Sequence, residues 1–188
     1  MSSKIIRTLK KSSNDIIYTP MPVALKMIEM CDIKDGDKVL DPSRGCGVFF
    51  NNLPTNCIKS YCEITENKDF FNETERYDLI IGNPPYSLWT KWLDHTMKLT
   101  DKFCYILGCF NFTDKRVRDI IDKGYGITKF HLLKIDWWFS PSFLILFEKN
   151  KPSIISVEPL RIYCDICNNK KCKRGRNKNN ANTCTISI

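Results

Sequence analysis

The sequence predicts an α/β protein built on a doubly wound, mostly parallel sheet. Short apolar stretches of strand length alternate with amphipathic stretches of helix length over about 130 residues. The first clear strand, "KVLD" at 38–41, runs straight into a glycine-containing turn and a helix start, which is how such sheets begin a unit. The last two strand-like stretches, 127–136 and 142–150, have only a short connection through "WWFSP", so they should form an antiparallel hairpin.

The elements follow in order. Residues 1–17 read as a flexible lead-in. Residues 18–31 open with Thr-Pro and place Val23, Leu25, Met27, Ile28 and Cys31 at near-helical spacing. "DIKDGDK" is a polar turn before the 38–41 strand. "PSRGCG" is a tight turn, and "VFFNNL" begins a helix that Pro54 stops. A second strand spans 57–64, "KDFF" at 68–71 is a brief extended piece, and "RYDLIIG" at 76–82 is a third strand. Residues 87–100 form a helix with Leu88, Trp92, His95 and Leu99 on one stripe. "KFCYILGCF" is a strand, and "TDKRVRDIIDKG" is a helix with a Thr start and a Gly stop. Only four residues separate Glu63 from Lys68, too few for a crossover helix, so the sheet is expected to be trimmed at that edge.

Composition narrows the class. A chain of 188 residues with 43% hydrophobic and 27% charged residues can bury one real core. No apolar run approaches the roughly 20 residues of a membrane span. The first 15 residues are polar and basic, without the apolar core of a secretion signal, so an intracellular, cytoplasmic protein is expected. The ten cysteines then read as reduced thiols, some of them candidate metal ligands. From Cys164 onward there are six Lys/Arg and one acid, a net +5, against +3 for residues 1–163. Such a tail suits a polyanion, nucleic acid above all; the alternative is a solvated end that aids solubility. The expected division is a lead-in at 1–17, the α/β domain at 18–150 and a basic, Cys-rich extension at 151–188.

The candidate chemistry lies at strand ends. Asp41 closes the first strand and could accept hydrogen bonds from a ligand amine, while Gly45 and Gly47 would let backbone approach a ligand closely. A glycine turn alone is also an ordinary connection. Glu63, about 20 residues further on, stands where an acid commonly accepts the hydroxyls of a nucleoside ribose. The third strand ends in Asn83, Pro84, Pro85 and Tyr86. Two prolines remove two backbone donors and stiffen the carbonyls that remain. With the Asn83 amide oxygen they offer acceptors for the two N–H bonds of a planar amine, and Tyr86 offers a ring to stack on its base.

In this order "DPSRGCG", "YCEI", "KDFF" and "IIGNPPYS", with "YTP" upstream, resemble S-adenosylmethionine-dependent amino-methyltransferases of the Asn-Pro-Pro-Tyr type. The likeness is nearest to DNA adenine-N6 methyltransferases, including small phage- and virus-like ones, and covers roughly residues 16–150. It implies a Rossmann-like methyltransferase sheet and a set of roles. Thr19 and Pro20 would flank the methionine part of the cofactor, and Asp41, Ser43, Gly45 and Gly47 would line its amino-acid end. Glu63 would hold the ribose, Asp69 the adenine amino group, and Phe70 would pack on the adenine ring. Asn83, Pro84, Pro85 and Tyr86 would hold the target amine. Two features depart from the family pattern: the helix between Glu63 and Asp69 is missing, and Cys46 replaces the usual small residue.

Related enzymes sandwich an extruded base against the motif tyrosine with an aromatic from the terminal hairpin, and Trp138 or Phe139 is the candidate here. Sheet-edge packing is the other reading of these rings. Cys164 and Cys167 form a zinc half-site that Cys172 and Cys184 could complete; a basic tail with free thiols is the alternative. His95 and His131 read as structural. The expected activity is methyl transfer to an exocyclic amine of a nucleic-acid base, first of all adenine N6 in DNA. Cytosine N4, an RNA base, a protein glutamine, or a non-catalytic subunit of a methyltransferase complex are the alternatives. Only about 40 residues follow the last strand, so target recognition is expected to be short or to need a protein partner.

Overall fold

The structure, a computed structural model, describes residues 17–138 and 140–156. The lead-in at 1–16, Phe139, and all four candidate zinc ligands (Cys164, Cys167, Cys172 and Cys184) lie outside the described residues.

Six strands form one sheet: β1 (Lys38–Asp41), β2 (Ile58–Tyr61), β3 (Leu79–Gly82), β4 (Lys102–Gly108), β5 (Tyr125–Leu133) and β6 (Ser142–Lys149). Their spatial order is β2-β1-β3-β4-β6-β5. The β1/β2, β1/β3 and β3/β4 pairs are parallel, and β4/β6 and β5/β6 are antiparallel. The expected mostly parallel sheet with a terminal antiparallel hairpin is what forms. Among the described residues, helices α1 (Met21–Cys31), α2 (Val48–Asn52), α3 (Trp89–Leu99) and α4 (Asp114–Ile121) accompany the sheet.

The period-two alternation of the strands sorts the core into two layers. Val39, Leu79, Ile81, Cys104, Ile106, Leu144 and Leu146 pack with Ala24, Met27 and Met30 of α1 and Phe49 of α2. Leu40, Ile80, Phe103, Tyr105, Ile145 and Phe147 pack with Trp92, Leu93 and Leu99 of α3 and Val117 and Ile120 of α4. Each Val, Leu, Ile, Phe or Met side chain among these contributes roughly 1.5–3 kcal/mol by leaving water. β3 and β4 are buried on both faces, which explains their continuous apolar runs. One polar cluster sits inside: the Trp92 indole N–H donates to the Tyr105 hydroxyl at 3.2 Å, and Thr96 Oγ1 shares a hydrogen with it at 2.8 Å.

Several details differ from the sequence-based expectation. "KDFF" is not an extended strand. Lys68 makes a single antiparallel bridge with Glu63, and Phe70–Asn72 winds into a 3-10 turn. The four residues between Glu63 and Lys68 fold back on themselves through a 3-10 turn at Ile64–Glu66, so the chain never reaches a further sheet position and β2 is the edge. The buried stripe of α3 is Trp89, Trp92, Leu93, Thr96 and Leu99, while Leu88 is exposed. The cause is a 3-10 turn at Tyr86–Leu88, whose three-residue winding shifts the helical phase.

Candidate active site

The order β2-β1-β3 makes β1 the point where the chain changes direction, and ligands of open α/β sheets bind at the carboxyl ends there. Asp41, Glu63 and Asn83 stand at the ends of these three neighbouring strands.

Asp41 is fully buried. Its Oδ1 accepts from the Ser43 N–H and its Oδ2 from the Phe50 N–H, both at 3.3 Å, so the carboxylate ties the turn to the start of α2. Burial pushes its pKa up to about 7, against the pull of those hydrogen bonds and of the nearby Arg44 charge. The turn then lies down on the end of β2. The Arg44 N–H donates to the Cys62 carbonyl at 2.9 Å, and the Cys62 N–H donates to the Asp41 carbonyl at 2.9 Å. Gly47, at φ 84°, is the N-cap of α2, and a β-carbon on it would come within 2.9 Å of Asn51 Nδ2.

Glu63 is half-buried and closes this turn from the other side. Its Oε2 accepts from the Gly45 N–H at 2.8 Å, and its Oε1 accepts from the Thr65 N–H at 3.1 Å and hydroxyl at 2.8 Å. Burial alone would raise its pKa, but the hydrogen bonds from Thr65 and Gly45 and the Arg44 charge prevail and hold it below the ordinary carboxylate value. Oε2, which accepts from the Gly45 N–H, keeps acceptor capacity for a ligand hydroxyl. Beside it the Arg44 guanidinium and the Lys68 ammonium lie 4.0 and 3.8 Å from the centroid of the Tyr61 ring, and Glu66 pairs with Arg44. These contacts brace the edge strand that carries Glu63.

The Asn83 side chain is already oriented. Its Nδ2 donates to the Ile17 carbonyl at 2.9 Å, which leaves Oδ1 as the acceptor, and Ser43 Oγ donates to the Asn83 main-chain carbonyl at 3.0 Å. Ser43 therefore links the β1 turn to the β3 turn. Pro84 is buried and Pro85 half-buried, and the Pro85 carbonyl accepts from the Leu88 N–H at 3.0 Å. The Tyr86 hydroxyl donates to the Ile106 carbonyl of β4 at 3.2 Å, which fixes the direction of the ring. Thr19 is buried, and the Pro20 carbonyl receives the Val23 and Ala24 N–H groups at 3.0 and 3.1 Å as α1 begins.

Asp69 is half-buried and accepts from the Phe71 N–H at 3.0 Å. Phe70 is 2% exposed and faces Trp92, with ring centroids 4.4 Å apart, whereas the adjacent Phe71 is 36% exposed. Trp138 is half-buried and packs on the layer that holds α1, while Tyr86 packs on the layer that holds α3. Asp41, Ser43, Gly45, Gly47, Glu63 and Asn83 are thus joined by a chain of hydrogen bonds or turns; Trp138 and Tyr86 pack on different layers.

Three contributors escaped the sequence reading. Tyr18 is 62% exposed and lies over the turn, its ring 3.6 Å from where a Gly45 β-carbon would stand. Its place directly before Thr19 and Pro20 was a usable signal. Ile64, next to Glu63, is 59% exposed, and an apolar residue outside the core at a strand end was legible too. The Ile17 carbonyl left no signal, because any residue supplies one.

No family model matches this chain, and no curated protein matches it. Solved structures do. Trm5 from Methanocaldococcus jannaschii, in complex with adenosine, is 14% identical at a TM-score of 0.57 over 73% of this chain and 51% of that one. Mtq2 of the E. cuniculi Mtq2–Trm112 complex, which methylates the translation termination factor eRF1, is 17% identical at a TM-score of 0.54 over 70% and 98%. The 23S rRNA methyltransferase ErmE is 9% identical at a TM-score of 0.53 over 73% and 71%. The chain spans about half the length of Trm5, and 48% of TrmN from Thermus thermophilus. At these identities the likeness shows the fold, a Rossmann-like methyltransferase sheet.

Proposed function

We propose that this protein transfers a methyl group from S-adenosylmethionine to an exocyclic amine of a nucleic-acid base, adenine N6 in DNA first of all. The observation that carries this reading is the orientation of Asn83. Its amide nitrogen is held by the Ile17 carbonyl, so its oxygen is the acceptor, at the end of the strand beside the Asp41–Glu63 turn.

The donor set fits the cofactor. A sulfonium nucleoside with an amino-acid end offers an ammonium group and a ribose diol, and the turn offers two carboxylates around an exposed glycine. Asp41 and Ser43 would hold the amino-acid end, Glu63 the diol, and Tyr18, Ile64 and Phe71 would border the rest with Asp69. When bound, the cofactor supplies an electrophilic methyl group. Everything else is positioning. Asn83 Oδ1 would accept one N–H of the target amine, and the Pro84 main-chain carbonyl would accept the other. Two acceptors would draw the amine's N–H bonds out of the base plane and so take its lone pair out of conjugation; the N–CH3 bond would form as the S–CH3 bond breaks, leaving S-adenosylhomocysteine, and the surplus N–H proton would pass to solvent after transfer. Tyr86 supplies a ring for the base, with its hydroxyl anchored on β4.

Transfer of labelled methyl groups to oligonucleotides tests this. Wild type should label strands containing adenine and not strands lacking it, and Asn83→Ala should lose about 100-fold or more in rate. Label on cytosine-only strands would move the target to cytosine N4. A protein glutamine is the second reading, since Mtq2 shares this fold and acts on a termination factor; label in a release factor and in no oligonucleotide would establish it. The basic tail, the aromatic hairpin and the upstream Thr-Pro favour nucleic acid. A partner for target recognition, zinc in the tail at Cys164, Cys167, Cys172 and Cys184, and an intracellular, viral or phage origin belong to the same proposal.

A further inference from the structure

The amide that faces the target amine is held by a contact open to water. Asn83 Nδ2 donates to the Ile17 carbonyl at 2.9 Å, at an exposed edge of the site. The outer torsion of an asparagine is broad and roughly two-fold, so the amide can turn over and exchange its oxygen for its nitrogen. Turned over, it would show N–H donors to an amine and repel it. A single hydrogen bond open to water favours one orientation by only about fivefold. The Ile17 carbonyl therefore biases the amide without locking it. The Ser43 hydroxyl does not choose between the two orientations, because it holds the Asn83 main-chain carbonyl instead.

The residue next to Ile17 rests on the cofactor turn. Tyr18 is 62% exposed, and its Cε1 and Cδ1 stand 3.6 and 3.8 Å from where a Gly45 β-carbon would be. The Gly45 N–H donates to Glu63 Oε2, and the Ser43 N–H of the same turn donates to Asp41 Oδ1. One edge of the ring thus lies on the turn that both carboxylates hold, and most of the ring is in water. Behind it the chain is anchored: Thr19 is buried, and the Pro20 carbonyl accepts from the Val23 and Ala24 N–H groups of α1. Residues 17–20 run as a short strap from α1, across the Gly45 turn, to the Asn83 amide. The Ile17 carbonyl belongs to the same rigid peptide plane as the Tyr18 nitrogen and α-carbon, so displacing Tyr18 displaces the acceptor of the amide.

We propose that Tyr18 is a positioning residue that couples occupancy of the cofactor turn to the orientation of Asn83. This rests on the readings of the turn as the cofactor site and of Asn83 as the group that receives the amine. A nucleoside ligand in the turn covers the Tyr18 ring and so favours the strap conformation that keeps Ile17 on the amide. Asn83 is then set as an acceptor when the methyl donor is present, and the cofactor precedes the amine on the protein. Such coupling is reciprocal. If covering the ring strengthens ligand binding about tenfold, the ligand favours the Ile17–Asn83 contact over its broken form by about the same factor.

The test uses the full chain and S-adenosylhomocysteine as the probe. The Asn83 side-chain N–H signals are identified by heteronuclear NMR from their loss in Asn83→Asp, and their exchange with water is followed with and without the probe. In wild type the probe should slow this exchange about tenfold. Tyr18→Phe keeps the ring and should behave as wild type. Tyr18→Ala should bind the probe about tenfold more weakly by calorimetry and, once saturated, show no slowing. Equal slowing in Tyr18→Ala and wild type would overturn the coupling. A loss of affinity in Tyr18→Ala with no slowing in wild type would also overturn it, and would make Tyr18 a ligand contact only. A wild type that binds the probe and shows the slowing, yet methylates no oligonucleotide or release factor, would leave the coupling standing and remove the activity proposed above. A wild type that binds no probe would overturn the cofactor reading and the coupling together.

Discussion

Raising the pH from 6 to 8 should tighten S-adenosylhomocysteine binding about tenfold, and Asp41 is the reason. The side chain is fully buried, and burial places its pKa at about 7. About a tenth of the molecules carry an ionised Asp41 at pH 6 and about nine tenths at pH 8, and apparent affinity scales with the competent fraction. The ionised form is the one that attracts a ligand ammonium. Isothermal titration calorimetry across this range, with Asp41→Asn beside wild type, measures the effect. The variant should bind more weakly at pH 8 and show no rise. The sign on stability runs opposite. The folded pKa lies above the ordinary carboxylate value, so the contribution of this group is full below about pH 4 and is lost as pH rises through 7 in the ligand-free protein. A wild-type affinity that is flat from pH 6 to 8, or an Asp41→Asn protein with the same rise, would refute the assignment of Asp41 to the ammonium.

Other perturbations have defined outcomes. Gly47→Ala should cost about 1–2 kcal/mol, because φ is 84° and the new β-carbon would stand 2.9 Å from Asn51 Nδ2; a thermal midpoint lowered by several degrees shows it. Tyr86→Phe keeps the ring and loses the hydrogen bond to Ile106, so urea unfolding should show a loss of about 1 kcal/mol with methyl transfer largely retained. Tyr86→Ala should instead raise KM for an oligonucleotide roughly tenfold or more, by loss of stacking. Thr113→Ala removes the N-cap of α4, whose hydroxyl accepts from the Arg116 N–H, and should lower the unfolding free energy by about 1 kcal/mol, read as a lower urea midpoint at unchanged slope.

Much of this molecule was legible because its signals are local. The apolar runs of β3 and β4 and the short link between β5 and β6 follow directly from burial and chain length. Asp41, Glu63 and Asn83 were legible because each polar residue ends a strand. What was not legible depends on contacts between distant segments. The Phe70 ring reads as a candidate adenine platform, yet it is 2% exposed because Trp92 and His95, more than 20 residues away, close over it. The phase of α3 was set by the 3-10 winding of Tyr86–Leu88, which no side-chain period announces. The partner of the Asn83 amide is a backbone carbonyl 66 residues earlier, and a carbonyl has no residue type.

The trimmed edge of the sheet has a consequence for local unfolding. β2 has only four residues, all at least partly exposed, and no strand beyond it. An edge of this kind opens at a lower free energy than the doubly covered β3 and β4, so its amides should exchange with solvent first. Glu63 travels with it. Each opening of β2 carries the carboxylate away from the Gly45 turn, and a nucleoside that bridges Glu63 to that turn binds only the closed form. The cofactor would therefore complete the fold at this margin, in the place where another protein of this architecture could spend a further strand and helix.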